Sequence, residues 1–267
     1  MKSGFDRIGL ALNVAELREH IGWLREGARD VELQDITRPE VLAGDWQAVA
    51  REIRELLEGY SGRIGIHGPF WQLSVAPRDP AVRELVQARL NLGLDFAQAI
   101  GATQMVIHSP FDFFGHPMSV PGARLGPELE RVHQTLEQVV QRAGDQGVTL
   151  VVENIYDLSP VPLLELIGSF DLPHVRLSVD VGHAHLMTQR GGPAPQVWLD
   201  QAGSLLGHVH LCDNDRTSDQ HLAPGEGTIH WPGVLRSLQH VSAEARLVAE
   251  VKPPALPGAR GWIESLS

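Results

Sequence analysis

The chain has 267 residues, of which 43% are hydrophobic, and this suffices for one large domain with a substantial core or for two small ones. Its 22 basic and 33 acidic side chains give a formal net charge of −11, which disfavours nucleic acid or an anionic membrane as the main partner. The single cysteine, Cys212, excludes an internal disulfide. Because no apolar stretch is long enough for a signal peptide or a membrane span, we expect a cytoplasmic protein.

Short apolar runs recur along the chain, and helical patterns lie between them. Most runs are apolar on both faces, which is typical of strands in a parallel sheet covered by helices. The segment 79–101 begins at an Asp-Pro pair and ends at a glycine, as helices do, and 126–147 shows a similar pattern. The eight runs span residues 7–13, 30–36, 63–69, 104–110, 149–155, 175–181, 207–213 and 246–252.

Eight alternations of strand and helix in a chain of this length predict an α/β fold, an eight-stranded parallel (β/α) barrel. A doubly wound open sheet is the alternative that the same alternation allows. No segment has the composition of a linker between domains. We therefore expect one barrel domain over residues 1–267.

Six consecutive runs, the third to the eighth, end in an imidazole or a carboxylate. A buried carboxylate is costly unless it is paired or bound to metal. A single residue of this kind would most simply be a structural group that is hydrogen-bonded within the chain. In a parallel barrel, however, the C-terminal strand ends face one mouth, where active sites lie, so these side chains should converge. A set of nitrogen and oxygen donors without thiols suits Mn²⁺, Zn²⁺, Co²⁺ or Mg²⁺. The six residues are His67, His108, Glu153, Asp180, His210 and Glu250.

The loop after the seventh run is dense in polar residues. Asp219 and His221 form an Asp-x-His pair, and Gly225 and Gly227 would allow a tight loop to fold back over the mouth. We therefore expect this pair to lie close to His183, which follows the sixth run.

Three other polar residues, Arg216, His208 and His185, lie near these motifs. Arg216 could hold a hydroxyl, carboxylate or phosphate of a substrate, or could form a surface ion pair. His208 should point the same way as His210 but one layer deeper, because side chains alternate along a strand. We assign His208 and His185 to structural roles.

The chain resembles the xylose-isomerase-like barrel superfamily, which includes sugar isomerases and epimerases together with the endonuclease IV class of abasic-site nucleases. The stretches "HGPF", "VVEN", "VDVGHAH", "HVHLCDND" and "HLAPGEGTIHW" carry the resemblance. For the sugar epimerases, it implies that His183 and Arg216 contact the substrate. It also implies that one divalent ion is held by Glu153, Asp180, His210 and Glu250.

Two positions depart from particular branches of this superfamily. Ketose 3-epimerases tend to carry a second Glu six residues after the fifth-strand Glu, where this chain has Ser159. Hydroxypyruvate-isomerase-like members prefer His-x-Gln at the seventh strand, where this chain has "HVHL". The resemblance therefore implies sugar chemistry without selecting either branch.

The endonuclease IV class holds three zinc ions at the same mouth. At all nine corresponding ligand positions, this chain has the residue that the resemblance requires. That class favours Tyr where Phe70 stands and Asn where Leu73 stands, and the loops lack a run of Lys or Arg for DNA. The implied ligands are His67, His108 and Glu153 for one ion, Glu153, Asp180, His210 and Glu250 for another, and His183, Asp219 and His221 for the third.

The predicted function is thus a divalent-metal-dependent isomerase or epimerase of a sugar or sugar phosphate, with the abasic-site nuclease as the alternative. The expected ion is Mn²⁺ or Zn²⁺, and Co²⁺ or Mg²⁺ is compatible. The expected partner is a small sugar, and the sequence is compatible with a homo-oligomer. The resemblance implies that Glu153 and Glu250 act as acid and base. We assign four further residues to the substrate site, namely His67, His108, Phe70 and Trp71. For Phe70 and Trp71, simple packing within the loop is the alternative.

Overall fold

The computed structural model describes residues 5–111, 125–240 and 244–266. Within these ranges the strands are β1 Gly9–Leu12, β2 Val31–Leu33, β3 Ile64–His67, β4 Gln104–His108, β5 Thr149–Glu153, β6 Val175–Asp180, β7 Leu206–Leu211 and β8 Arg246–Ala249. They form a closed barrel in chain order, and all neighbouring strands are parallel. Because β1 pairs with β8, with Gly9 beside Val248, the predicted (β/α) barrel is confirmed and the open-sheet alternative is wrong.

Helices connect the strands around the outside of the barrel. In the described part of the chain they are α1 Val14–Gly27, α2 Pro39–Ala43, α3 Trp46–Leu56, α4 Pro80–Ile100, α5 Gly126–Asp145, α6 Val161–Phe170, α7 Val181–Met187, α8 Pro195–Ala202, α9 Trp231–His240 and α10 Leu256–Glu264.

Local chemistry sets the ends of α4, as the sequence pattern predicts. The side chain of Asp79 accepts a hydrogen bond from the N–H of Ala81, and Pro80 occupies the first turn, where its missing N–H needs no partner. The helix stops where Gly101 adopts a left-handed φ of 76°. The predicted 126–147 helix is slightly shorter in the structure, since α5 ends at Asp145.

The strands are buried on both faces, as a parallel sheet covered by helices requires. Every residue of β1, β2 and β8 is buried, and large side chains such as Phe96 and Trp198 fill the layer between strands and helices. None of the described helices is both long and apolar enough to cross a bilayer.

The N-terminal ends of the strands carry a paired set of polar residues, Asp30, Arg63, Thr103 and Arg246, which we call the barrel floor. Arg63 donates to both carboxylate oxygens of Asp30, at 2.8 and 2.6 Å. The buried Arg246 donates to the carbonyl oxygen of Ile64 at 2.7 Å and to the hydroxyl of Thr103 at 2.6 Å. The charged groups of the floor therefore find partners within the chain.

Candidate active site at the barrel mouth

The C-terminal ends of β3 to β8 place the six predicted polar side chains at one mouth. Strand register makes neighbours of residues that are far apart in sequence. His108 stands beside Glu153 across β4 and β5, and Asp180 stands beside His210 across β6 and β7. Glu250 follows directly after β8, so it enters the mouth at the same level.

Four of these side chains, Glu153, Asp180, His210 and Glu250, form what we call the central group. One nitrogen or oxygen atom of each lies within 4.8 Å of those of the other three. Nδ1 of His210 lies 2.8 Å from Oε1 of Glu153 and 3.5 Å from Oε2 of Glu250. Oε2 of Glu153 is buried without a hydrogen-bond partner among residues 5–111, 125–240 and 244–266. Three carboxylates and one imidazole with an unpartnered oxygen form a donor set that suits a divalent cation.

The electrostatics of the central group also favour a bound cation. Burial disfavours the charged form of His210, but the carboxylates of Glu250, Glu32 and Glu153 outweigh this effect and raise its pKa well above the usual range. Burial raises the pKa of Asp180, and the neighbouring Glu153 adds to the increase. Carboxylates at this spacing repel one another, and a divalent ion between them would remove that repulsion.

A second group, His67, His108 and Glu153, shares one carboxylate with the central group. Nε2 of His67 lies 3.5 Å and Nε2 of His108 lies 3.8 Å from Oε2 of Glu153. Nδ1 of His67 is 2.9 Å from the carbonyl oxygen of Gly68, so a neutral ring carries its proton on Nδ1 and leaves the lone pair of Nε2 available to an ion. Burial, together with the neighbouring His67, lowers the pKa of His108 to about 3, so its ring is neutral and able to bind a metal.

The third group, which we call the outer group, contains His183, Asp219 and His221, as the loop motif predicts. Oδ2 of Asp219 lies 3.3 Å from Nε2 of His183 and 3.1 Å from Nε2 of His221. The Nδ1 atoms of the two rings lie 3.0 Å from the carbonyl oxygens of Asn154 and Glu250, respectively. Oδ1 of Asp219 is buried and has no hydrogen-bond partner in the described part of the chain.

Asp213 holds the loop after β7 in the position that brings the outer group together. Its carboxylate accepts hydrogen bonds from the backbone N–H groups of Gly225 and Ile229, at 2.9 and 3.1 Å, and from the indole of Trp231 at 2.7 Å. Gly225 has a left-handed φ of 93°, and a Cβ at Gly227 would lie 2.3 Å from Oδ1 of Asp213. Both glycines are therefore needed for the loop to return over the mouth.

Aromatic and basic side chains line the edge of the mouth. Phe70 stacks on His108 with ring centroids 4.2 Å apart, and Trp71 stacks on Phe70 at 5.1 Å. Trp71 is 57% exposed, so most of its surface faces solvent. Arg216 is exposed and lines a cavity of about 350 Å³ beside Asp219.

Two polar residues that the sequence patterns did not reveal also reach the central group. Glu32, in β2, lies 3.1 Å from Nε2 of His210. Gln34, just after β2, donates a hydrogen bond to Glu250. The signal available in the sequence was a single carboxylate, that of Glu32, between the two apolar residues of "VEL".

One family model matches most of this chain, and known proteins are similar to it. The family described as xylose isomerase-like TIM barrel matches residues 25–267. A solved structure of a Thermus thermophilus protein, soaked with ZnCl₂, is 27% identical and has a TM-score of 0.74 over 97% of each chain. An uncharacterized protein of Methanocaldococcus jannaschii is 28% identical over 75% of this chain and 68% of its own length. Fructoselysine 3-epimerase of Escherichia coli O157:H7 is 23% identical over 75% of this chain and 73% of its own.

Proposed function

The chain belongs to the xylose isomerase-like TIM-barrel family, and from this premise we propose that it is a divalent-metal-dependent isomerase or epimerase of a sugar or sugar phosphate. The observation that carries the proposal is the central group, in which carboxylates from the ends of β5, β6 and β8 surround the imidazole of His210. The similarity of the chain to fructoselysine 3-epimerase supports the same class of reaction.

The central group would hold the ion. Its donors are nitrogen and oxygen, and the thiol of Cys212, which donates to Asp180 at 3.6 Å, is not one of the four clustered donors. Such a donor set suits Mn²⁺ or Zn²⁺, and Co²⁺ or Mg²⁺ is compatible. A bound ion would supply a Lewis acid that polarises a substrate carbonyl and its neighbouring hydroxyl.

Glu153 and Glu250 would move the proton at the carbon beside that carbonyl. Oε1 of Glu153 lies 2.8 Å from Nδ1 of His210, and Glu250 accepts a hydrogen bond from the amide of Gln34. One carboxylate would take the proton from the carbon, and the other, protonated beforehand, would donate its proton to the opposite face, which inverts the centre. In isomerisation the proton would return to the adjacent carbon, while the hydroxyl proton passes to the former carbonyl oxygen. Glu250 is the more accessible, with 14% of its side chain exposed against 1% for Glu153.

The remaining mouth residues would bind the sugar. His183 lies at the boundary between the central and outer groups, where it could donate to a hydroxyl, and Arg216 could bind a hydroxyl or a phosphate from the cavity beside Asp219. The other residues proposed to line the sugar site are His67, His108, Phe70 and Trp71.

Solvent deuterium tests this function directly. The protein, loaded with Mn²⁺ or Zn²⁺, is incubated in D₂O with a panel of ketoses and ketose phosphates, and the products are analysed by NMR. We expect a substrate to interconvert with its isomer or epimer and to acquire deuterium beside the carbonyl. Interconversion without deuterium would contradict proton transfer and favour a hydride shift.

Cleavage of DNA at abasic sites is a second candidate, because the nine side chains of all three groups converge. Such clusters suit phosphodiester hydrolysis, in which several metal ions activate water and stabilise the leaving oxygen. The formal charge of −11 places this candidate second, since DNA binding needs a basic surface. Cutting of an abasic-site duplex by protein with three Zn²⁺ per chain, with no reaction of any sugar, would replace the isomerase proposal.

A further inference from the structure

Glu32 lies in the barrel interior next to the central group. Its Oε1 is 3.1 Å from Nε2 of His210, and its Oε2 is 3.3 Å from Nε2 of His208. The other ring nitrogen of His210, Nδ1, faces Glu153 at 2.8 Å. The imidazole of His210 therefore connects Glu32 on one side with the carboxylates of the mouth on the other.

We propose that Glu32 is a positioning residue that fixes which nitrogen of His210 faces the ion. An ionised carboxylate can only accept hydrogen bonds, and a neutral imidazole carries its proton on one nitrogen. With an ion in the central group, the hydrogen bond to Glu32 would keep the one proton of the ring on Nε2 and leave the lone pair of Nδ1 for the ion. This inference rests on the proposed ion site.

The surroundings of Glu32 suit a carboxylate that only accepts hydrogen bonds. Each of its oxygens faces a ring nitrogen, Oε1 that of His210 at 3.1 Å and Oε2 that of His208 at 3.3 Å. A carboxylate bonded to the far nitrogen of a metal-binding histidine orients the ring and makes the nitrogen facing the metal more basic. Glu32 is placed to have both effects on His210.

Ser178 and His208 lie on the other side of Glu32. The hydroxyl of Ser178 lies 2.8 Å from Nδ1 of His208. When that hydroxyl donates, the neutral ring of His208 carries its proton on Nε2, which faces Oε2 of Glu32. The series Ser178, His208, Glu32 and His210 is buried throughout, with at most 2% of any member exposed, so water cannot take over these contacts.

Zinc binding by the full chain tests the proposal. Dissociation constants for Zn²⁺ are measured with a competing chelator for the wild type, Glu32→Gln and Asp30→Asn. Glutamine keeps the size of the side chain but removes its charge, and we expect the affinity for Zn²⁺ to fall about 10–100-fold. Asp30 is the matched control because it is a buried carboxylate just before the same strand, bonded to Arg63 at the barrel floor. Its replacement should lower stability and leave the Zn²⁺ affinity unchanged.

NMR of ¹⁵N-labelled histidines gives a readout that needs no variant. In the Zn²⁺-loaded wild type we expect His210 to be protonated on Nε2 and bound through Nδ1. A proton on Nδ1, or an unchanged affinity for Zn²⁺ in a folded Glu32→Gln protein, would overturn the positioning role of Glu32. The proposed ion site would still stand.

Two further outcomes separate this role from the ion site itself. Loss of one of several bound Zn²⁺ ions in Glu32→Gln, with the others held as tightly as before, would make Glu32 a ligand and overturn the positioning role. A wild-type protein that binds no Zn²⁺, Mn²⁺, Co²⁺ or Mg²⁺ would overturn the ion site, and this inference with it.

Discussion

The two ends of the barrel accommodate buried charge in opposite ways. At the floor, Arg63 meets Asp30 through two hydrogen bonds, and Arg246 is held by a backbone carbonyl and a hydroxyl. At the mouth, carboxylates crowd around imidazoles. There, one oxygen of Glu153 and one of Asp219 are buried with no hydrogen-bond partner in the described ranges.

This contrast separates what stabilises the fold from what performs chemistry. The floor needs nothing from outside the chain, and breaking one of its pairs would leave an uncompensated buried charge. The mouth brings together four carboxylates and five imidazoles, a set of oxygen and nitrogen donors that suits a cation and a substrate bound beside it. Substitutions at the mouth should therefore change binding and turnover, whereas substitutions at the floor should change stability.

The largest effect is expected for Glu250→Gln, which disables the mouth and spares the fold. The amide oxygen of glutamine can still contact an ion but cannot take up a proton, so kcat on the reacting sugar should fall about 10²–10⁴-fold. Turnover and metal content are measured together. The control is Glu226→Gln, an exposed residue of the loop after β7, which should leave kcat unchanged. Equal losses in the two variants would contradict a specific role for Glu250.

Arg63→Ala should have the opposite profile, a loss of stability with metal binding intact. It leaves Asp30 buried and unpaired, and because Arg63 is a quarter exposed, we expect the low end of the range for such pairs, about 3 kcal/mol. Arg18→Ala, which removes a pair with Glu52 on the surface, should cost about 0–1 kcal/mol. Denaturant unfolding measures both, and similar losses in the two would mean that the floor is no more important than the surface.

Addition of Mn²⁺ or Zn²⁺ should stabilise the protein through the mouth. At a free concentration of 100 times the Kd, binding contributes about 2.7 kcal/mol, or a rise in Tm on the order of 5–10 °C for a chain of this size.

The same rise in Tm should depend on pH. Burial lowers the pKa of His221, but its hydrogen bond to Asp219 and the charge of Glu250 outweigh this and raise the pKa to about 9. An ion at the outer group must displace that proton, so the rise in Tm should increase as the pH approaches 9. A pH-independent rise would exclude His221 as a ligand.

The smallest expected effect on stability distinguishes two buried aspartates, Asp157 near the mouth and Asp30 at the floor. Asp157 accepts hydrogen bonds from Ser109 and Ile155, yet burial raises its pKa from 3.8 to about 6. The folded state then binds this proton more tightly than the unfolded chain, so stability falls as the pH rises between those values and stays lower above them. Asp157→Asn should remove that loss and raise the free energy of unfolding above pH 6 by on the order of 1 kcal/mol.

Asp30→Asn, at the floor, should lower the free energy of unfolding instead. Denaturant titrations above and below pH 6 compare the two variants. A gain for Asp157→Asn that is the same at acidic pH would show that its titration is not the cause.

The barrel and its mouth could be predicted because each follows from a local pattern that repeats. Asp180 shows how local the signal is, since it ends β6 and also caps α7, accepting the N–H of His183 at 2.6 Å. This double role explains why a carboxylate and an imidazole occur three residues apart after an apolar run. The same pattern at successive strand ends was enough to locate the site.

Glu32 and Gln34 could not be found in this way. They alternate with Val31 and Leu33, and alternation of polar and apolar residues is equally typical of a strand with one face in solvent. Only closure of the barrel places this polar face inside. The partner of Glu32 is on β7, so the contact depends on long-range pairing that short patterns do not contain.

The mouth histidines differ in what anchors them, and this affects how the site can evolve. His210 is anchored by the side chain of Glu32, whereas three others are anchored by main-chain carbonyl oxygens. A main-chain carbonyl is present whatever amino acid a codon specifies, so these three anchors do not depend on the side chain at the anchoring position. The anchor of His210 does depend on a side chain, so under the proposed role a change of Glu32 would alter this ring without touching any residue of the central group. The three carbonyl anchors are Gly68 for His67, Asn154 for His183 and Glu250 for His221.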